Sequence, residues 1–561
     1  MNRFVTIGLL TYLFSHFFSS SALASRKCNS HKYYSQDYLD SIKKKRVTPV
    51  IVVSGWSDTS LQSSSLKSAY KQTRAFSSAY LLAARLYQKY GRVKLIYLST
   101  VPISEHYRRY LYRIATGDQG IAGFQGFEKF TLKMFVFDQA KHSEALIENF
   151  EGLDDIEKIP VDTYKFFSKR NVGLLKVIKN LLAIYAQSKR YDLIGFDNHS
   201  NSPLLRVIAY YLGIPLLGNT LLDFELGSKS QSRKIFEDAG VLHPKGSYFP
   251  IAKLDHLAED IYELLKTGTR KVLIKIDRSS AGEGLQLVDF SDELTEGFIN
   301  LYEPGPSNKL IRMKLYELPF RYLEKIVANG AIVEEYLESP GKHSPAAMLM
   351  INNETDIDLI GLYQQKLGGN LNLCYQGCES PLEDQEESQL IGKKALSIGL
   401  TLAKLGIRGP IGVDFLSCQT ENRSDEEKIL AIENNIRHPS TMYAYMNALH
   451  LLGESCLKTK YFETNECLRV PTLINSTIRN QLQAEFYRWL SFQTFTFKRE
   501  TGKGVLIFGD YGAIGKLSAL AIADSPVEAS QLLKLADKEI KEHIRQWGAK
   551  YARKNLMKAE I

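Results

Sequence analysis

The chain has 561 residues, of which 44% are hydrophobic and 24% charged, and its formal net charge is +9. This length and composition predict a globular protein of roughly three or four domains, at about 150 residues each. Six cysteines are too few in so long a chain for a disulfide framework, and a mild charge spread along the sequence does not require a nucleic-acid partner. A mildly basic surface instead favours anionic ligands.

The N-terminus has the three parts of a secretory signal peptide. Arg3 gives a basic start, residues 5–18 are mostly apolar, and residues 22–24 (Ala-Leu-Ala) form a small-x-small cleavage site. We expect residues 1–24 to be a signal-peptide segment and no stable membrane span, because the apolar stretch is short and interrupted by polar residues. A start site near Val47 would remove this segment, so the location stays open.

An α/β domain is predicted over 47–222. Buried-strand patterns occur at 49–55, 94–100 and 191–198, helical spacing fills 174–188, and residues 202–218 are predicted as a helix that leads into a strand. This alternation is typical of a parallel sheet with helices on its faces.

Glycines recur at steps of three between 117 and 126, at positions 117, 120, 123 and 126. No apolar strand runs straight into them and no clear helix follows. We interpret the segment as a flexible or substrate-covering loop rather than as a dinucleotide fingerprint.

A second domain, predicted over 223–455, opens with a helix at 228–240 and contains a phosphate-binding pattern at 271–289. Lys275 lies at the centre of an apolar strand, and a loop of mostly small residues follows it: Ser279, Ser280, Ala281, Gly282, Glu283 and Gly284. A lysine on a strand supplies fixed positive charge, and small residues let backbone N–H groups approach phosphate oxygens. The segment therefore predicts a phosphate cradle.

Hard oxygen ligands follow on two later strand-like runs. Asp414 lies in GPIGVDFL, and Glu433 and Asn435 lie in LAIENNIRHPS. Residues two apart on a strand face the same side, and hard oxygen suits Mg²⁺. Arg437 continues that face and is predicted to approach a phosphoryl group or a substrate carboxylate, with a structural salt bridge as the alternative. His438 is either a turn residue or a substrate contact. A phosphate cradle with a metal site predicts an enzyme that consumes ATP. ATP dependence argues for a cytoplasmic location and conflicts with the export that the N-terminus predicts.

A third domain is predicted over 470–561 as a small, aromatic-rich α/β unit. Its segment 509–518 is similar to a Walker phosphate loop, but Asp510 occupies the first glycine position and Leu517 replaces the hydroxyl residue. We therefore do not expect a Walker site. Cys374 and Cys378 have no neighbouring pair of ligands, so we interpret them as buried packing residues rather than zinc ligands.

The order of these motifs resembles that of the ATP-grasp ligases: a lysine before a helix (Lys229), Lys275, the small-residue loop, an acidic–apolar strand at 330–338, and the metal trio. Within that superfamily the chain is similar to peptide ligases of the pheganomycin type, which carry a pre-ATP-grasp domain and their own C-terminal domain. The matching stretches are IYLSTVPISEHYRRYL, YYLGIPLLG, GSKSQSRKIFEDAGVLHPKG, IVEEYLESP, LGG, YQGC, GPIGVDFL, AIENNIRHP and GKLSALAIADSPVEA. Together they span the chain from about Pro49 to the C-terminal helix.

The resemblance implies a pre-ATP-grasp α/β domain, an α+β ATP-grasp domain and a small C-terminal α/β domain. It implies an ATP-dependent carboxylate–amine ligase that forms an amide or peptide bond through an acyl-phosphate. The implied cofactors are ATP and one or two Mg²⁺ ions, with Mn²⁺ as a substitute. The implied substrates are small molecules or peptides that carry a carboxylate and an amine.

Roles for individual residues also follow from the resemblance. Lys229 and Lys275 are expected to contact ATP phosphates, and the loop 279–284 to close over the β- and γ-phosphates. Asp414, Glu433 and Asn435 are the expected metal ligands, and Arg437 and Lys275 the expected catalytic residues.

The strand at 333–337 is expected to form the adenine hinge. Its candidate contacts are Glu334, Glu335 and the backbone of Leu337. Strand alternation decides which glutamate points inward, and we favour Glu335.

Two departures from the family pattern predict a changed acyl or amine substrate. Arg437 is followed directly by His438-Pro439, where the family pattern has a Gly-Gly-Thr-Thr stretch first. Gln364-Gln365 stands where Asp-Gln is usual, which removes a carboxylate from a predicted wall of the site.

Two other functions stay open. One is a non-catalytic ATP-binding or secreted interaction protein that retains the ATP-grasp fold, supported by the signal-peptide pattern and the altered loop. The other is an ATP-grasp kinase or carboxylase, which differs in the acceptor.

Overall fold

The computed structural model describes residues 48–54, 66–99, 102–117, 120–137, 169–188, 191–198, 226–279, 284–302, 304–338, 343–369, 373–382, 384–418, 424–453, 459–469, 476–509 and 516–552, with a few single positions in 208–214 and at 457. Four predictions lie outside the described residues wholly or in large part. They concern the signal-peptide segment 1–24, the loop residues Ser280, Ala281, Gly282 and Glu283, most of 202–218, and most of the segment 509–518.

The described elements are numbered here along the chain. They are β1 (Thr48–Ser54), α1 (Leu66–Tyr90), β2 (Lys94–Ser99), α2 (Glu105–Thr116), α3 (Ile121–Thr131), β3 (Leu132–Val136), α4 (Lys169–Gln187), β4 (Tyr191–Asn198), α5 (Lys229–Asp238), α6 (Leu254–Lys266), β5 (Lys271–Ile276), β6 (Leu285–Asp289), α7 (Ser291–Thr295), α8 (Pro304–Tyr316), α9 (Phe320–Asn329), β7 (Ala331–Glu335), β8 (Pro345–Ile351), β9 (Ile357–Gly368), β10 (Cys374–Ser380), α10 (Gln385–Lys404), β11 (Gly409–Ser417), α11 (Asp425–Lys428), β12 (Ile429–Asn435), α12 (Ser440–Leu452), β13 (Tyr461–Arg469), α13 (Ser476–Leu490), β14 (Gly504–Ile507), β15 (Lys516–Ala523) and α14 (Pro526–Ala552).

The first sheet is parallel, with strand order β3-β2-β1-β4. The helix α1 packs on β1 and β2, and α4 packs on β4. Strands covered in this way become continuous apolar runs, which is why the pattern at 49–55 could be recognised in the sequence. The predicted α/β class is confirmed for this part of the chain.

The predicted loop at 117–126 is wrong, because most of the stretch belongs to a helix. Gly117 ends α2 with φ of +73°, and residues 121–131 form the helix α3 instead of a loop. Phe124 and Phe127 of α3 are buried in the core. Burial of an apolar helical face outweighs the low helix propensity of glycine at 123 and 126.

The largest sheet has eight antiparallel strands in the order β12-β11-β8-β9-β10-β13-β15-β14. One face of its β12 end is covered by α5 and α10 through a core that includes Phe236, Ile398 and Val413. The other end shares a core with α1 and α2 of the first unit. The sheet thus runs without a break across the boundary predicted near 455–470, and the predicted domain limits remain predictions.

A separate three-stranded antiparallel sheet has the order β6-β5-β7. The helices α6, α8 and α9 cover one of its faces through a core that includes Ile261, Ile274 and Val333. Its other face points away from this core and carries buried charged side chains, Lys275 and Glu334. Within the described residues no helix combines the length and the apolar character that a membrane crossing requires.

Candidate active site

The second face of the small sheet carries the predicted strand lysine, and Lys275 is buried there at 6% exposure. Lys275 pairs across the strands with Ile332, and Leu273 pairs with Glu334. Because directly opposed residues share a face, these four side chains lie together, opposite the core. The phase of β7 therefore makes Glu334 the inward glutamate, and our preference for Glu335 was wrong.

Glu334 is 2% exposed and lies between two cations. Its carboxylate forms an ion pair with the Lys275 ammonium, and its Oε1 lies 3.0 Å from Nη1 of Arg233 on α5. Burial by itself raises the pKa of Glu334, but the charges of Lys275 and Arg233 outweigh burial and hold the pKa below its usual value. The carboxylate is therefore ionised at neutral pH.

Glu335 binds the backbone of the segment that lies along the edge of the small sheet. Its Oε1 accepts a hydrogen bond from the Lys245 backbone N–H at 2.8 Å, and its own N–H donates to the Lys245 carbonyl at 2.9 Å. Gly246 beside it has no room for a side chain, since a Cβ would lie 2.0 Å from the Val333 oxygen. Leu337, the third predicted hinge residue, follows β7 by two positions.

Lys229, the first residue of α5, is 5% exposed and lies between the predicted phosphate loop and the predicted metal ligands. Its Nζ donates to the Ser279 carbonyl at 2.9 Å and lies 3.5 Å from Oε1 of Glu433. The predicted phosphate loop and the predicted metal trio, separated by about 150 residues in sequence, therefore meet at one ammonium group.

The start of α5 is fixed by Asp277, a residue that the sequence analysis missed. Oδ1 of Asp277 accepts the Ser230 N–H at 2.8 Å, and its carbonyl accepts the Lys229 N–H at 3.1 Å. The side chain of Ser228 caps the helix by accepting from the Gln231 N–H. The available signal was an acidic residue two positions after Lys275, where the strand ends.

The two described ends of the phosphate loop lie close together. A Cβ on Gly284 would lie 2.1 Å from the Ser279 Oγ and 3.0 Å from the Ile276 Cβ, so only glycine fits there. The Gly284 carbonyl accepts hydrogen bonds from the Ile276 N–H at 2.8 Å and from the Tyr322 hydroxyl at 3.0 Å. These contacts fix the base of the loop beside Lys275.

The three predicted metal ligands share one face of the large sheet. Asp414 on β11 is directly opposite Glu433 on β12, and Gly412 is opposite Asn435. The Asn435 amide donates to Asp414 Oδ2 at 3.0 Å, and Nη1 of Arg437 donates to Asn435 Oδ1. Burial, and then the charge of Glu433, raises the pKa of Asp414 to about 7.

This donor set fits Mg²⁺. It offers two carboxylates and one amide, and Mg²⁺ is commonly held by one or two carboxylates together with substrate phosphates and water. No group of three or more His, Cys, Asp or Glu side chains suited to a metal occurs in the described part of the chain. A cation would also relieve the repulsion between Asp414 and Glu433.

The turn after β12 packs tightly against β11. A Cβ on Gly412 would lie 3.0 Å from the Pro439 Cβ, so the glycine allows the turn to approach the metal trio. His438 is 8% exposed, and its ring stacks on Tyr443 with 6.0 Å between centroids. Of the two roles considered for His438, these contacts favour the turn.

The two glutamines of β9 that depart from the family pattern, Gln364 and Gln365, lie on opposite faces of the sheet. Gln365 lies on the Asp414 face, and its side chain lowers the pKa of Asp414. Gln364 is opposite Glu379 on the other face. The expectation that a missing carboxylate at 364 changes the wall of the site is therefore wrong, because strand alternation turns that side chain away.

The comparisons with known proteins concern the fold. Neither a protein-family model nor a curated protein matches the sequence. Similar solved structures include a biotin carboxylase–beta-gamma-ATP complex from Campylobacter jejuni, with 12% identity, a TM-score of 0.47 and coverage of 88% of this chain and 91% of that chain. The biotin carboxylase domain of 2-oxoglutarate carboxylase from Hydrogenobacter thermophilus has 12% identity, a TM-score of 0.45 and coverage of 85% and 86%. A carboxyaminoimidazole ribonucleotide synthase from Aspergillus clavatus has 8% identity, a TM-score of 0.45 and coverage of 89% and 100%.

At 8–12% identity and TM-scores of 0.45–0.47, these structures give no information on superfamily, substrate, reaction or site residues. The likeness to pheganomycin-type ligases remains a prediction. By its described helices and sheets the chain is an α/β protein.

Proposed function

We propose that this protein is an ATP- and Mg²⁺-dependent carboxylate–amine ligase that forms an amide or peptide bond through an acyl-phosphate. The observation that carries the proposal is the position of Lys229, whose ammonium contacts both Ser279 of the phosphate loop and Glu433 of the metal trio. A triphosphate bound along Lys229 and Lys275 would thus lie next to Asp414 and Glu433.

The first step binds and orients ATP. Lys229 and Lys275 act as point charges on the phosphate oxygens, which lowers the repulsion between the triphosphate and an incoming carboxylate. Asp414, Glu433 and Asn435 would hold Mg²⁺, which when bound would supply positive charge against the phosphates during transfer. The inner face of the small sheet, with Leu273 and Ile332 beside Glu334, supplies an apolar wall for the base.

The chemical steps need no covalent enzyme group. An oxygen of the substrate carboxylate attacks the γ-phosphorus, the bond to the bridging oxygen of ADP breaks, and an acyl-phosphate forms. The amine then attacks the acyl carbon and phosphate leaves with the C–O bond electrons, while the amine nitrogen loses a proton. Arg437 contacts Asn435 and is therefore next to the metal trio, where it can hold the attacking carboxylate.

A phosphate-release assay tests the proposal. Purified protein, ATP and Mg²⁺ are combined with pools of amino acids and short peptides, and products are identified by mass spectrometry. We expect phosphate release that depends on both substrates and a product with a new amide bond. A phosphate ester or a carboxylated product would instead identify a kinase or a carboxylase, and ATP binding without turnover in any pool would favour the non-catalytic alternative.

The chain offers a matched control for this assay. Lys275→Met removes the proposed phosphate contact, whereas Lys271→Met changes a lysine on the same face of the same strand that pairs with the exposed groups of Asp289 and Glu338. Only the first substitution is expected to raise the KM for ATP. Equal effects of the two would argue against a phosphate role for Lys275.

A further inference from the structure

A second cation lies on the same helix as Lys229. Arg233 is one helical turn along α5, and i and i+4 side chains share a helix face. Arg233 is 1% exposed, its Nη1 lies 3.0 Å from Glu334 Oε1, and its guanidinium carbon lies 5.2 Å from the centre of the Tyr248 ring. None of its three side-chain nitrogens makes a hydrogen bond of good geometry within the described residues.

Glu334 therefore has one carboxylate oxygen directed at each of two cations. Oε1 pairs with Arg233, and Oε2 pairs with Lys275. If Lys275 were the sole partner of so deeply buried a carboxylate, its movement to a nucleotide phosphate would leave a buried charge uncompensated, which is strongly unfavourable. With Arg233 in place, Glu334 remains paired after Lys275 moves.

We propose that Arg233 is a positioning residue for the nucleotide: it holds Glu334 in a permanent ion pair, so that Lys275 is free to exchange that carboxylate for the triphosphate. This inference rests on the proposed function, because it requires the site to bind ATP. Arg233 acts through Glu334 and Lys275 and does not itself contact the phosphates. Its effect must therefore fall on the triphosphate and not on the base.

Calorimetric titration of the full chain with Mg-ATP and, separately, with adenosine tests this role. We expect Arg233→Met to weaken Mg-ATP binding by roughly tenfold or more, since Lys275 then remains with Glu334, while adenosine affinity changes less than about twofold. A purely structural role would weaken both ligands to the same extent, and that result would overturn the proposal.

A double variant provides a second, independent criterion. In Arg233→Met with Glu334→Gln no buried carboxylate retains Lys275, so Mg-ATP affinity should return to within about threefold of the wild-type value. In this variant the Lys275 ammonium, 6% exposed, loses its carboxylate partner and can pair only with a bound triphosphate. A thermal melt of each variant shows that it is folded before it is titrated. Mg-ATP binding more than tenfold weaker than wild type in the double variant would contradict the inference. Wild-type protein that binds neither ligand would instead reject the proposed function itself.

Discussion

Two arginines, Arg74 and Arg233, are both buried beside a buried glutamate, but they differ in how many cations share that glutamate. Arg74 on α1 is 4% exposed, and both of its terminal nitrogens are engaged: Nη2 donates to the Ser440 carbonyl at 2.9 Å, and Nη1 lies 2.7 Å from Glu466 Oε2. The Tyr375 hydroxyl donates to the same carboxylate at 3.1 Å. Arg233 is buried as deeply, but it shares Glu334 with Lys275 and none of its nitrogens makes a well-formed hydrogen bond.

The difference shows how buried charge can serve two purposes. The Arg74 network joins the first unit to α12 and β13 and sets one guanidinium against one carboxylate, an arrangement that rigidifies a core. The Arg233 cluster has two cations for one carboxylate, so it carries an excess positive charge beside the proposed phosphate site. Balanced charge indicates a structural role, and surplus charge indicates a place for an anionic ligand.

The largest effect on stability is expected at Arg74. Arg74→Met leaves Glu466 buried without its partner, and the free energy of unfolding should fall by about 3–5 kcal/mol. Replacing Glu466 by Gln in the same chain should restore part of the loss. Differential scanning calorimetry measures both. Unchanged stability in Arg74→Met would show that the Arg74–Glu466 ion pair does not stabilise the fold.

The largest effect on activity is expected at Asp414. Asp414→Asn removes one of two carboxylates for the metal, and turnover with ATP should fall by roughly 100-fold or more. Thermal stability should not fall, because burial and Glu433 already disfavour the Asp414 charge. Asp358→Asn, an exposed aspartate on β9, is the control. Equal turnover in the two variants would place the metal elsewhere.

A smaller effect is expected where the turn after β12 meets β11. Gly412→Ala places a Cβ 3.0 Å from Pro439, so the turn must shift, at a cost of about 1–3 kcal/mol. Gly173→Ala is the matched control, since nothing lies within 4 Å of its Cβ and it lies within α4. That change should stabilise the chain slightly, by about 0.5–1 kcal/mol. Thermal melts of the pair test the packing, and a neutral Gly412→Ala would show that the turn is free to move.

Part of this site could be predicted from the sequence because its signals are local. Lys275 lies inside an apolar strand, and Glu433 and Asn435 are two residues apart, so spacing alone places them on a face. The choice between Glu334 and Glu335 depended on the phase of β7, which the sequence leaves open. The pairing of Arg233 with Glu334, and that of Arg74 with Glu466 across 392 residues, follow from tertiary packing and have no local signal. Likewise Gly123 and Gly126 could not be recognised as helical before the burial of Phe124 and Phe127 was known.

The most direct test of the proposed function is a crystal structure of the full chain with Mg²⁺ and a non-hydrolysable ATP analogue. The proposal predicts phosphate oxygens within hydrogen-bond distance of Lys229 and Lys275, and a metal ion between those phosphates and Asp414 and Glu433. Glu334 should then be paired with Arg233 alone. A nucleotide bound elsewhere, or a metal ion without contact to Asp414 and Glu433, would contradict it.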